Sequence, residues 1–286
     1  MRYGFVENHR DGWPVRLMCR VLRVSPSGYY AGRGRRESSR AIRRRELTEK
    51  AQEVYQKSRR TYGSPRVHRQ LLEEGERCNV KTVATLMARN GWSGRQSRAF
   101  RPQTTMSDHG LAVAPNRLEQ RFVAPGPDQV WVADITYVPT WEGWLYLAVI
   151  LDVFSRRVVG WSMANHLRAS LVCDALRMAL AARRPGPGLI HHSDRGVQYA
   201  SGAFQTLLRG NQLLPSMSRK GNCYDNAMME SFFGTLKREC VNGIVYATHE
   251  EARRSIFEYI ETWYNRRRIH SSLGFLSPTA FEERIA

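Results

Sequence analysis

The spacing of apolar positions gives the chain two textures, helical in its first third and strand-like from about residue 128. From Pro14 to Leu22, PVRLMCRVL predicts a short amphipathic helix with Pro14 in its first turn, and the VSPSGYY that follows carries turn and restart signals. A longer basic helix is predicted from about Arg35 to Tyr55, with Leu47, Ala51, Val54 and Tyr55 on its apolar side. The stretch YGSPRVHRQLLEEGERCNVKTVATLMARNGW is punctuated as two helices joined by a tight turn. Ser64 caps the first, with Pro65 at its first position and Gly75 as its stop; Asn79 caps the second, which Asn90-Gly91 closes. In that second helix Val80, Val83, Ala84 and Met87 form one apolar stripe, leaving Lys81, Thr82, Thr85 and Arg89 to face outward. This is the pattern of a helix-turn-helix with Asn79 to Arg89 as its recognition helix; a plain helical hairpin with a solvated face shares it.

Residues 93–127 lose this periodicity and are rich in Gly, Pro, Ser and Gln, which reads as a linker ending near Asp128. Then come QVWVADITYVPT, WLYLAVILDVF and RRVVGWSM, β-branched and aromatic, with hairpin connections at Trp141-Glu142-Gly143 and around Ser155-Arg156. A helix is expected over Ala169 to Arg184, a strand at LIHH, a helix over Ser201 to Arg209, a strand at LLPSMS, and helices from Asp225 to about Cys240 and from about Glu250 to Tyr264. Strands followed by alternating helices and strands indicate an α/β domain with a mixed five-stranded sheet. The organisation expected is a basic helical region over 1–92 containing the helix-turn-helix-like 63–92, a linker over 93–127, and the α/β domain over 128–286.

Charge adds a partner to this picture. Of the formal +18, residues 1–127 hold 26 Lys and Arg against 11 Asp and Glu, a net of +15. An excess of that size binds a polyanion through counterion release; nucleic acid is the commonest such partner, with membrane surface and heparin-like polymers as the competing readings. No apolar run is long enough to span a bilayer, and Met1 to Pro14 lacks the apolar centre of a secretory signal, so neither a membrane nor export is expected. The five cysteines are scattered without a C-x-x-C pair and read as reduced cytosolic thiols.

Three carboxylates carry the candidate chemistry. Asp134 lies inside VWVADITYV, where a buried ionised group is costly unless paired or bound to metal; an edge aspartate facing water is the alternative. Asp194, in HHSDRG, follows a strand at the end where α/β sheets place their ligands, and it also fits an ordinary Asx-turn. Glu230 is on a helix, where a lone glutamate is commonly a surface group. One carboxylate on a first strand, one after a later strand and one on a following helix can converge on a metal pair. Oxygen ligands alone suit magnesium, with manganese as its substitute, and two ions serve in-line displacement at phosphorus. Lys237, seven residues after Glu230, is about 20° short of two full turns and shares its face, where it could hold a DNA phosphate. Asn226, one turn before Glu230, could hydrogen-bond DNA or orient a ligand, or simply belong to an exposed polar stripe.

The strings WVADITYV, LYLAVILDVFSRRVVGW, HHSDRGVQYAS, SMSRKGNCYDNAMMESFFGTLKRE and YNRRRIHSSLGFLSPTAF together resemble the retroviral-integrase-like core of bacterial insertion-sequence transposases, in particular the second-frame product of the insertion sequence three family. VSPSGYY and RRTYGSPRVHRQLLEEG are similar to that family's preceding helical DNA-binding segment, and the 35 residues between Asp194 and Glu230 match its spacing. The resemblance implies a ribonuclease-H-like fold and magnesium-dependent cleavage at transposon ends followed by strand transfer. It further implies Asp134, Asp194 and Glu230 as catalytic metal ligands, with Lys237 as the basic residue after the glutamate. Its implied partners are the terminal inverted repeats and target DNA, a homo-oligomer on that DNA, and the upstream-frame product; its implied location is the bacterial cytoplasm, at the nucleoid. Sustained heptads are lacking, so the chain resembles the downstream-frame part alone.

A regulator that occupies the ends without chemistry of its own is the alternative function, and a nuclease of similar fold is a third. Among other residues, His191 and His192 are expected to be structural, Asp152 to cap or pair across its hairpin near Arg156 and Arg157, and Trp131, Trp141, Trp144 and Trp161 to pack at strand positions. The run Arg266, Arg267, Arg268 with His270 is expected to contact DNA or to form a solvated helix end.

Overall fold

The computed structural model describes residues 2–33, 37–95, 110–120, 122–219, 223–241 and 243–285, and the chain divides into two compact units at Glu53/Val54. In the first unit α1 (Arg2–His9), α2 (Val15–Val21) and α3 (Pro26–Arg33) enclose a small core of Val6, Met18, Cys19 and Tyr29. The turn before α3 places Arg23 at φ 50°. The unit boundary falls within α4 (Ser39–Lys57). No helix of the described residues is long and apolar enough to cross a membrane.

The second unit opens with α5 (Ser64–Glu73) and α6 (Val80–Arg89), which pack together with Val67 and Leu71 buried from one and Val83, Leu86 and Met87 from the other. Asn79 caps α6 by accepting the Lys81 N–H at 2.8 Å, and Gly75 and Gly91 end the two helices at φ 85° and 69°. Gly63, not Ser64, holds the cap position of α5. The apolar stripe differs from the expected one: Val80 and Ala84 are exposed, and Leu86 takes their place. The buried face is the i, i+3, i+4 trio starting at Val83, so the face actually packed is rotated toward Leu86.

Five strands form one sheet in the order β3-β2-β1-β4-β5: β1 (Val130–Thr140), β2 (Gly143–Asp152), β3 (Val158–Ala164), β4 (Ile190–Ser193) and β5 (Leu214–Met217). The pairs β1–β2 and β2–β3 are antiparallel, whereas β1–β4 and β4–β5 are parallel. Burial of both faces explains the near-continuous apolar runs. One face carries α7 (Ala169–Arg183), α8 (Val197–Ala200) and α9 (Gly202–Gly210), whose Leu171, Leu176, Phe204 and Leu208 join Trp131 and Ile150 in the main core. At Gly160 a Cβ would stand 2.4 Å from the Ala175 carbonyl oxygen, so the glycine lets α7 lie directly on β3.

The chain continues through α10 (Ala227–Leu236), α11 (His249–Phe257) and α12 (Pro278–Ile285). Each of the two long helices expected here changes type: α10 runs into a π-helical segment at Lys237–Val241 and α11 into another at Glu258–Tyr264. Helix α12 had no counterpart in the sequence pattern. It supplies Glu282 to an ion network in which Arg183 binds both Asp128 (2.9 Å) and Glu282 (2.8 Å), while Arg157 binds Glu282 at 2.6 Å. Asn265 covers the edge of β3 by mimicking a strand, donating to the Val158 carbonyl and accepting its N–H, both at 3.0 Å.

Several side chains sit otherwise than expected. Trp131 is fully buried, but Trp141 is 79% and Trp144 51% exposed, at the tip of the β1–β2 hairpin. Asp152 is buried and caps its turn by accepting the Ser155 N–H at 3.0 Å; it also accepts the Asp128 N–H and makes no side-chain pair with Arg156 or Arg157. Arg268 is buried rather than solvated, its guanidinium bound to both oxygens of Glu239. His191 and His192 are structural: the first lies edge-on to Phe204, and the second bonds Ser216 and Ser218 through its two ring nitrogens.

Candidate active site

The parallel register of β1 and β4 brings two of the three carboxylates together. Val132 is opposite His192; Asp134 comes two residues further along β1, and Asp194 lies just past the end of β4. Residues two apart point to the same face, and neighbouring strands are about 4.8 Å apart, so the two carboxylates share one face at adjacent positions. Asp134 accepts the N–H of Ile135 at 2.7 Å. Asp194 accepts the N–H of Gly196 at 2.9 Å, making the Asx-turn expected for it without leaving the site. A Cβ at Gly196 would stand 3.0 Å from that same Asp194 oxygen, so the glycine permits the tight return of the chain.

Glu230 arrives from α10, which packs against β1. Asn226 tethers the start of this helix: its amide nitrogen donates to the Ala133 carbonyl at 3.3 Å, one residue before Asp134. Asn226 is therefore buried, not part of an exposed stripe, and its amide oxygen has no hydrogen-bond partner. Behind it, Asp225 is fully buried and binds Arg219, Asn116 and Gln120; the Arg219 guanidinium above all, with the Arg219 N–H and Gln120, holds its carboxyl well below the usual range. Asn116 and Gln120 come from the stretch between the helical pair and the sheet, so part of that stretch is bonded to the base of α10.

Electrostatics shows how close the groups are. Asp134 has its carboxyl pushed well above the usual range, first by burial, then by the charge of Asp194, with Glu230 adding to it; the Ile135 N–H and Lys237 act the other way. Lys237 is half-buried, its ammonium 5.1 Å from the centre of the Tyr137 ring, and burial lowers its pKa while attraction to Asp134 raises it. Tyr199 is buried within reach of the charges of both aspartates; burial first and then those charges hold its hydroxyl protonated, and among the described residues that hydroxyl has no hydrogen-bond partner. Nothing in the residue pattern pointed to Tyr199 or Tyr137, because only the fold brings them to the carboxylates. Among the described residues no three His, Cys, Asp or Glu side chains stand close enough to hold one ion as they are, and Glu230 is exposed. The chemistry of the donor set nevertheless fits a hard divalent cation: crowded carboxylate oxygens, one of them destabilised by burial and like charge, and an orphaned buried hydroxyl beside them.

The residues proposed from sequence for DNA lie on α6. Lys81, Thr82, Thr85 and Arg89 are all exposed, although the Thr85 hydroxyl is bonded to the Lys81 carbonyl at 2.9 Å.

Comparison with known proteins agrees with this architecture. Residues 124–223 and 230–285 each match an integrase core domain, and residues 43–100 match an HTH-like domain. "Transposase InsF for insertion sequence IS3A" of Escherichia coli (strain K12) is 46% identical over 286 residues, covering 99% of both chains. "Insertion element IS600 uncharacterized 31 kDa protein" of Shigella sonnei is 46% identical over 267 residues, covering 93% of this chain and 98% of the other. Among solved structures, the intasome of simian T-cell lymphotropic virus contains a chain with a TM-score of 0.47 and 16% identity, covering 77% of this chain and 70% of that one. Identity at this level along the whole chain, together with the integrase core and HTH-like matches, means that the chain belongs to the insertion sequence three (IS3) family of transposases.

Proposed function

We propose that this chain is a DNA transposase, a polynucleotidyl transferase that cuts DNA at the ends of its own element and joins those ends to target DNA. The observation that carries the reading is the buried carboxyl of Asp134, pushed up by burial and by the charge of Asp194, with Glu230 adding to it and Lys237 acting the other way. Such burial beside like charge is costly in a fold unless a bound cation offsets it. In this reading the three carboxylates hold a pair of magnesium ions, with manganese as a substitute. When bound, the pair supplies an activated attacking oxygen and stabilisation of the leaving oxygen at phosphorus.

The chain's own residues do the rest. Asn226 fixes the start of α10 on β1 and so sets the reach of Glu230 toward the aspartates. Lys237 holds a DNA phosphate near the carboxylates, its ammonium steadied over the Tyr137 ring. Tyr199, held protonated, has a hydrogen to donate toward the aspartates. Lys81, Thr82, Thr85 and Arg89 face the duplex from α6, and the excess positive charge of residues 1–127 draws the DNA in. The basic helical region over 1–92 thus binds and the part from 128 onward cuts. Action on paired ends calls for a homo-oligomer on DNA, with the upstream-frame product as a further partner, at the bacterial nucleoid.

The test is cleavage and joining of a labelled duplex carrying the element's terminal repeat, with and without magnesium. Wild type is expected to nick only with metal, and Asp134→Asn, Asp194→Asn and Glu230→Gln each to lose about a thousandfold in rate, roughly 4 kcal/mol of barrier. Near wild-type rates in all three would refute the assignment.

A further inference from the structure

On the far side of α10 from Glu230 lies a cavity of about 250 Å³, room for about eight waters at ~30 Å³ each. Met228, Ser231 and Thr235 line it from α10, at about 100–160° around the helix from Glu230. Five arginines converge there, Arg66, Arg95, Arg156, Arg238 and Arg268, with a single carboxylate, Glu239. That carboxylate is already satisfied. Arg268 binds both its oxygens, at 2.9–3.0 Å, and Tyr259 and Trp263 donate to it as well. Among the described residues no carboxylate pairs with the other four guanidiniums. Arg95 donates to the Arg238 carbonyl, Arg238 to the Thr235 hydroxyl, and Arg66 lies over the Tyr62 ring.

The surroundings register this surplus. His270, on the cavity wall, is held neutral, its pKa lowered to about 2 by burial and by Arg268, Arg66 and Arg156. Arg66, Arg156 and Arg238 are half-buried and Arg95 is exposed; gathering guanidiniums around one shared carboxylate is unfavourable, and a planar fork of N–H donors matches the oxygens of a phosphate. The hydroxyls of Ser231 and Ser271 add neutral donors to the same wall.

We propose that this cavity binds a backbone phosphate of DNA, a second anchor on the face of α10 opposite the carboxylates. The helix and the π-helical segment that continues it then hold the DNA at two places, cutting from Glu230 on α10 and gripping from Arg238 in that segment. The choice of DNA over a soluble phosphate rests on the transposase reading above.

The experiment measures binding of the full chain to a fluorescent duplex by anisotropy across a salt series without divalent metal, so it reads the anchor whether or not the carboxylates perform chemistry. Arg156→Gly suits the left-handed backbone at that residue, φ 58°, and removes a charge without straining the turn. Arg156→Gly combined with Arg238→Gln is expected to bind about tenfold to a hundredfold more weakly, with the slope of log affinity against log salt shallower by about one to two. Arg238→Lys, which keeps the charge, is expected to retain the wild-type slope, and Glu230→Gln to retain full binding while losing cleavage. If the double variant does not fold, Arg156→Gly alone is expected to lower the slope by about one. An unchanged slope in a folded variant overturns the proposal. So does calorimetry in which inorganic pyrophosphate binds wild type and not the variant while DNA binding stays equal, since the cavity would then serve a soluble anion. Loss of metal-dependent cleavage in wild type, with these binding differences intact, would count against the transposase reading and leave the anchor standing.

Discussion

Two clusters of charged side chains flank the same sheet and are built on opposite principles. At one, Asp128 and Glu282 meet Arg157 and Arg183, two charges of each sign in contacts of 2.6–2.9 Å. At the other, Asp134 is buried and feels the like charges of Asp194 and Glu230 more than the opposite charge of Lys237. The first cluster is complete as it stands and ties α7 and α12 to the start of β1. At the second, burial and like charge raise the Asp134 carboxyl, and that repulsion is what supports the proposed cation site. The direction in which a carboxyl is shifted thus tells the ion network from the proposed site where residue type alone does not.

The comparison breaks if the balanced cluster proves dispensable. Arg183→Met leaves Asp128 and Glu282 facing each other half-buried, and is expected to cost about 3 kcal/mol of stability, read as a lower denaturant midpoint. Cleavage per folded molecule is expected to stay near wild type, since the network touches none of the three carboxylates.

A smaller effect sharpens the contrast, because the two clusters respond to pH with opposite signs. Glu282 has its carboxyl held below the usual range: burial alone would raise it, but its bonds to Arg183, Ser155 and Arg157 outweigh that. Its stabilisation is present above the unfolded value of about 4.3 and is lost as pH falls through the folded one. Asp134 is raised instead, so below about 3.9 it is neutral folded or unfolded and costs nothing, and its penalty grows as pH rises from there. In metal-free buffer Asp134→Asn is therefore expected to melt like wild type near pH 4 and about 2–4 °C higher at pH 7, by calorimetry. A gain that shrinks as pH rises would contradict that repulsion.

Much of this was legible in the sequence because it is local. The β-branched and aromatic runs named the first three strands and the short apolar strings LIHH and LLPSMS the other two, Asn79 announced the cap of α6, and Asp134, Asp194 and Glu230 were nominated by residue type and order. What stayed hidden depends on distant segments meeting. Arg268 looked like part of a solvated basic run until the fold placed it against Glu239, 29 residues earlier in the chain. Asn226 looked like an exposed polar residue, yet it is the tether of α10 to β1, 93 residues away. Trp141 and Trp144 looked like core and are exposed, since periodicity says which face a residue takes and not whether anything covers it. The π-helical turns at Lys237 and Glu258 left no mark in an apolar pattern that both helix types share.

The central claim is that the carboxylate cluster is a divalent-cation site. Manganese uptake by the full chain, followed by electron paramagnetic resonance at pH 7 without DNA, tests it directly. Wild type is expected to take up manganese with an affinity that rises with pH, because Asp134 must give up its proton first, and Asp134→Asn and Asp194→Asn to lose that uptake while staying folded. Equal uptake by wild type and both variants would contradict the account.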